Sequence, residues 1–141
     1  MTDRDEFLAG DRPDDVLIYL AADVLGNPDA LADVGESVAD GVVLVVPGDQ
    51  GRGALQSAVG VDPMEFAQDA VGTEGEVSRD ALHATCPASD DGNDHALQFL
   101  FAFAEAENAE AGGLYAEGDV IHAYAHCACG RRFSDRWVAE A

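Results

Sequence analysis

An α+β domain is the fold this chain predicts, and three observations carry it. Two short, continuous apolar runs, Val16 to Ala21 (VLIYLA) and Val42 to Val46 (VVLVV), have the length and β-branched content of buried strands. Between and after them lie segments with helix caps and helical spacing. From Leu97 onward the apolar period shortens to two, and VIHAYAHCACGRRFSDRWV (Val120 to Val138) reads as strand, glycine turn and returning strand.

Residues 1–15 form a polar lead-in from which Phe7 and Leu8 can dock. After the first apolar run, Asn27-Pro28 supplies a cap and a first-turn proline. The helix expected there carries Leu31, Val34 and Val38 on one face and stops at Gly41. Strand, helix and strand at this spacing make a βαβ unit, so the two apolar runs are expected to be parallel with a right-handed crossover. Pro47-Gly48-Asp49-Gln50-Gly51-Arg52-Gly53 then opens a short helix containing Leu55 and Val59. Asp62-Pro63-Met64-Glu65 caps a second helix, with Phe66, Ala67, Ala70 and Val71, which ends at Gly72. Residues 72–95, rich in Gly, Ser, Thr and Asp, read as a long loop with a helical turn near Arg79 to His83. Next, Leu97, Phe99, Phe101 and Phe103 alternate with Gln98, Leu100 and Ala102, which puts an aromatic stripe on one sheet face. Glu105 to Gly113 is a polar connector. Leu114-Tyr115, a turn at Glu117-Gly118-Asp119 and Val120 to His126 are expected as a hairpin, with Arg131 to Val138 returning. The architecture predicted is one domain over 1–141: an N-terminal βαβ unit and two further helices on a sheet completed by antiparallel C-terminal hairpin strands.

Composition bounds the setting. The chain has 141 residues, enough to bury a core of its own, and 48% of them are hydrophobic. Asp and Glu number 28 against 7 basic residues, all of them arginine, for a net charge of −21. These acids are spread in short clusters between apolar runs, so they belong to a folded surface. Such a surface repels itself in dilute buffer, and at 1 M salt the screening length falls to about 3 Å. The charge therefore reads as adaptation to concentrated salt, and it disfavours duplex nucleic acid as a partner. No apolar stretch approaches the length of a membrane span, and the N-terminus lacks the apolar core of a signal peptide, so a cytoplasmic location is expected. Three cysteines in such a chain point to reduced thiols or metal ligands before disulfides.

Chemistry concentrates at two places. His83-x-x-Cys86 and His126-x-x-Cys129-Gly130 share one internal spacing, and Cys127 lies inside the second pair. Ligands at i and i+3 beside a glycine-ended turn suit tetrahedral zinc, with either Cys86, Cys127, Cys129 and one histidine, or His83, Cys86, His126 and Cys129. The three-cysteine set is favoured, because thiolates are soft ligands and strand alternation puts Cys127 opposite His126. Cys86-Pro87 and Cys129-Gly130 resemble parts of a zinc-ribbon knuckle. A thiol nucleophile, Cys127 or Cys129 with His122 as base, is the chemical alternative. The second place is the turn with Gly48, Gly51, Arg52 and Gly53, a candidate anion or cofactor loop that lacks both the Walker and the GxGxxG spacing. Arg131, Arg132 and Arg136 beside Trp137 form a candidate partner patch, against which stands simple pairing with carboxylates such as Asp135.

DPMEFAQ (Asp62 to Gln68), GGLYAEGDVIHAYA (Gly112 to Ala125) and SDRWV (Ser134 to Val138) resemble stretches of small haloarchaeal proteins of unknown function. That resemblance implies a soluble cytoplasmic protein of salt-loaded cells and carries no catalytic residues. Two function classes follow. One is a non-enzymatic binding or regulatory module with a structural zinc site. The other is a small-molecule enzyme or ligand binder using the loops near Asp23 and Gly48 to Gly53, where parallel sheets place their sites. A homodimer through an exposed sheet edge is the assembly the pattern allows.

Overall fold

The computed structural model describes residues 3–10, 12, 14–21, 36–38, 41–78, 84–86, 97–105, 110 and 112–139. In chain order these form α1 (Asp3–Leu8), β1 (Asp15–Ala21), β2 (Glu36–Val38), β3 (Gly41–Pro47), α2 (Gly48–Val59), α3 (Pro63–Val71), β4 (Glu76–Val77), β5 (Ala84–Thr85), β6 (Leu97–Glu105), α4 (Leu114–Glu117), β7 (Val120–Cys127) and β8 (Arg132–Val138). Among the described residues, six strands join in the order β2-β3-β1-β6-β7-β8, and β4 pairs with β5 in a small separate ladder. The class is α+β, as the residue pattern predicts.

The pairing of the two apolar runs differs from expectation. β1 and β3 are adjacent and antiparallel, with Ile18 opposite Leu44 and Asp15 opposite Pro47. The βαβ reading assumed a helix up to Gly41, but Glu36–Val38 is a strand antiparallel to β3, so Val38 is not helical. Asn27, Pro28, Leu31 and Val34 lie outside the described residues. An apolar run signals a strand buried on both faces in either orientation, so it does not choose between parallel and antiparallel neighbours. Leu114-Tyr115 is likewise not a hairpin arm, because Leu114–Glu117 forms a helical turn.

Period-two alternation divides the sheet into two faces. Leu17, Tyr19, Val43, Leu100, Ala102, Ile121, Ala123, Ala125, Cys127, Phe133 and Trp137 cluster on one face with Phe7 of α1 and with Val77 and Cys86. Phe7 is fully buried, so part of the lead-in is core. On the other face Val16, Ile18, Leu20, Val42, Leu44, Phe99, Phe101 and Tyr124 meet Leu55 of α2 and Phe66 and Ala70 of α3. Phe66 packs edge-on against Phe99, ring centres 5.1 Å apart, within the favourable range for such pairs. The aromatic stripe is present over Phe99, Phe101 and Phe103. Leu97 leaves it for the opposite face, because the register with β7 shifts between Leu97 and Phe99.

The two helices expected after the second apolar run both form. Asp62 caps α3 by accepting the Met64 backbone N–H at 2.8 Å, with Pro63 in the first turn. α2 starts directly at Gly48, after Pro47.

Candidate metal centre

The sulfur cluster is built by two short pieces of backbone. At the end of β7 the chain turns through Cys127-Ala128-Cys129-Gly130 into β8. The Gly130 N–H donates to the Cys127 carbonyl at 2.8 Å, and the Cys127 N–H donates to the Arg131 carbonyl at 3.0 Å. Gly130 stands at φ 92°, a left-handed conformation that a side chain resists, which explains the glycine after Cys129. This turn brings Cys127, at the end of the strand, and Cys129, at the tip, to the same end of the sheet.

Cys86 arrives from elsewhere in the chain. After α3, Thr73 to Gly75 runs beside the outer edge of β8. Ser134 donates its N–H to the Thr73 carbonyl at 2.9 Å, and Gly75 donates to the Ser134 carbonyl at 3.0 Å. One residue pair further, the Val77 N–H donates to the Asp135 carboxylate at 3.0 Å. β4 is thereby fixed against β8, β5 is fixed on β4 through Glu76 opposite Thr85, and Cys86 follows β5 directly.

The three sulfurs consequently lie within 4.8 Å of one another. Cys86 Sγ and Cys129 Sγ are 3.8 Å apart, although 43 positions separate them in the chain. Four ligands arranged tetrahedrally about zinc at a Zn–S distance of about 2.3 Å have sulfurs about 3.8 Å apart, so the spacing fits. It is far longer than the roughly 2.05 Å of a disulfide, and none of the three cysteines is disulfide-bonded. Cys86 and Cys127 are 4% and 2% exposed, while Cys129 faces solvent. A metal could therefore enter past Cys129 and be held by two sulfurs already removed from water.

The histidines separate from this cluster. His126 lies on the opposite sheet face, its ring stacked 4.5 Å from Phe99, and Nδ1 accepts a hydrogen bond from Arg132 Nε at 3.2 Å. Burial, and secondarily the neighbouring Arg132 charge, hold its pKa below the ordinary 6.5. His126 is thus no companion to Cys127 and Cys129, and the Cys₂His₂ set that includes it does not assemble. His83 lies outside the described residues. His122 shares the His126 face and sits 3.3 Å from Glu105, so it is not poised as a base for either hairpin thiol.

The other candidate residues are dispersed. Asp23 lies outside the described residues. Gly48, Gly51, Arg52 and Gly53 belong to α2 itself. Gly51 is buried, and a Cβ there would overlap the Val16 side chain, so this glycine serves the approach of α2 to the sheet. The antiparallel β1–β3 pairing also removes the parallel-sheet logic that pointed to this loop. Trp137 is buried on the sulfur-bearing face, whereas Arg132 and Arg136 point to the other, so the proposed arginine–tryptophan patch is not one surface. Arg132 is engaged by Asp69 at 2.8 Å and by the Phe66 ring, and Arg131 is exposed at the tip. Asp135 was expected to pair with an arginine; it instead accepts backbone N–H groups of Val77 and Arg136. Its anchoring role was not visible, since one acid among 28 carries no positional signal.

Fold and site together define a class: an antiparallel α+β domain carrying a three-thiol cluster between a strand-end turn and a loop ladder. The chain belongs to the family of unknown function DUF5807, whose model matches residues 35–140. No curated protein and no solved structure matches the chain.

Proposed function

We propose that the protein binds zinc through Cys86, Cys127 and Cys129, and that the metal fastens the β4–β5 segment to the turn between β7 and β8. The observation that carries this reading is the convergence of three sulfurs within 4.8 Å from two distant parts of the chain. A structural role is favoured over a catalytic one. Two of the sulfurs are core residues, and among the described residues no histidine or carboxylate joins the group. The protein then acts as a non-enzymatic binding or regulatory module working in the salt-rich interior of a cell, a setting supported by its net charge of −21. A fourth ligand comes from His83 or from solvent.

Cobalt(II), a spectroscopic substitute for zinc, tests the ligand set. Titration of reduced protein under anaerobic conditions should produce saturable thiolate-to-cobalt charge-transfer absorption and a tetrahedral visible spectrum, both abolished by added zinc. Cys86→Ser, Cys127→Ser and Cys129→Ser should each weaken cobalt binding by about tenfold or more, whereas His126→Gln should leave the spectrum unchanged. A His83→Ala variant separates the two sources of the fourth ligand. A pale octahedral spectrum, indifferent to the cysteine substitutions, would contradict the reading.

A further inference from the structure

The three sulfurs are not equivalent, and their differences decide how the cluster meets an oxidant. Cys86 and Cys127 are buried, at 4% and 2% exposure, whereas Cys129 is exposed. Its neighbours Ala128, Gly130 and Arg131 are exposed as well, so the tip of the turn stands open to solvent. A dissolved oxidant therefore reaches Cys129 first. Oxidation of a cysteine follows its thiolate character and its accessibility, and a zinc-bound sulfur is a thiolate.

Distance and backbone then select the sulfur that answers. Cys86 Sγ lies 3.8 Å from Cys129 Sγ, so closing to a disulfide of roughly 2.05 Å takes an approach of about 1.8 Å. Both cysteines sit on short pieces of chain, Cys129 in the turn and Cys86 directly after the two-residue strand β5. Cys127 is placed differently. It ends β7 opposite Leu97, its N–H donates to the Arg131 carbonyl, and its own carbonyl accepts from Gly130. A bridge from Cys127 to Cys129 would span one intervening residue inside this fixed turn, a small ring that strains the disulfide dihedral. A bridge from Cys86 to Cys129 spans 43 positions and meets no such constraint.

We propose that the cluster is a redox switch in which hydrogen peroxide joins Cys86 to Cys129 and releases the metal. The proposal rests on the zinc reading above. The Cys129 thiolate attacks one peroxide oxygen: an S–O bond forms, the O–O bond breaks, and hydroxide leaves and is protonated to water. The Cys86 sulfur then attacks the sulfenic sulfur of Cys129. The S–S bond forms, the S–O bond breaks, and a second hydroxide leaves and takes up a proton. The two sulfurs give up two electrons, the peroxide accepts them, and zinc stays divalent. Zinc then retains only Cys127 of the three thiolates and dissociates. A covalent bond replaces the metal as the tie between β5 and the turn, and a thiol reductant restores the first state.

The test treats zinc-loaded protein, prepared anaerobically, with one equivalent of hydrogen peroxide while a chromogenic chelator reports released metal. A peroxide-free control measures what the chelator extracts unaided. Zinc release should keep pace with a loss of about 2 Da per chain. Differential alkylation with peptide fragmentation should place the remaining thiol at Cys127, and dithiothreitol should restore zinc binding. Without metal, Cys127→Ser should still form the Cys86–Cys129 bridge, whereas Cys86→Ser should form a bridge slower by about tenfold or more. Circular dichroism checks that both variants fold. A remaining thiol at Cys86 would overturn the proposal, because the bridge would then lie inside the turn. Protein that holds zinc and keeps it through oxidation of its thiols would overturn the switch alone. Protein that never holds zinc would sink the metal reading and the switch together.

Discussion

His126 illustrates what a single side chain does in this sheet. Its Nδ1 accepts from Arg132, its ring covers Phe99, and burial followed by the Arg132 charge depresses its pKa below 6.5. A base whose folded pKa is lowered is more readily protonated in the unfolded chain. Its contribution to stability is therefore complete above about pH 6.5 and declines as the pH falls below that value toward the folded pKa. His126→Gln keeps an acceptor for Arg132 and removes the titration. Chemical unfolding at about pH 7.5 and about pH 5.5 should show the wild type losing more stability than the variant over that interval, other groups cancelling in the comparison. Equal losses would contradict the assignment. Residue-level geometry of this kind was legible in advance: alternation along residues 120–127 suffices to put Cys127 and His126 on opposite faces.

Element pairing was less legible, because apolar content reports burial and says little about neighbours. VLIYLA and VVLVV are strands as predicted, but they meet antiparallel, with β2 on the other side of β3, and an apolar run does not choose the direction of its neighbour. The approach of Cys86 to the turn was equally hidden. It depends on main-chain bonds from Thr73 and Gly75 to Ser134, and on Asp135 accepting from Val77, and main-chain bonds leave no trace in side-chain periodicity. These same bonds occupy part of the β8 edge, so an edge-paired homodimer would have to use β2 or displace the 73–75 segment. If metal ties β5 to the turn, removing it loosens the ladder before the sheet. Hydrogen exchange with and without a chelator should show faster exchange at Val77 and Thr85 and unchanged protection at Leu100 and Phe101. Asp135→Ala should speed exchange in the ladder even with metal present. A uniform change across ladder and sheet would contradict a local tie.

At the scale of the molecule, charge sets the conditions under which these contacts hold. A net charge of −21 on 141 residues opposes compaction, and raising salt screens that repulsion. The melting midpoint should rise substantially between about 0.1 M and about 3 M KCl, and the rise should come mainly over the range where the screening length is still comparable to the spacing of surface acids. A midpoint independent of salt would show that the acids are not a burden the fold has to manage. Among the described residues no helix is long and apolar enough to cross a membrane.

The central claim, that thiols from two distant parts of the chain form one metal centre, is tested most directly by elemental analysis of protein purified without added metal, coupled to titration of its thiols. Bound zinc near one per chain, with the three thiols protected until a chelator is added and with zinc lost in Cys86→Ser and Cys129→Ser, is the predicted result. Zinc below about 0.2 per chain, with the thiols reacting freely in the folded protein, would contradict it and leave Cys86 and Cys127 as packing residues of the core.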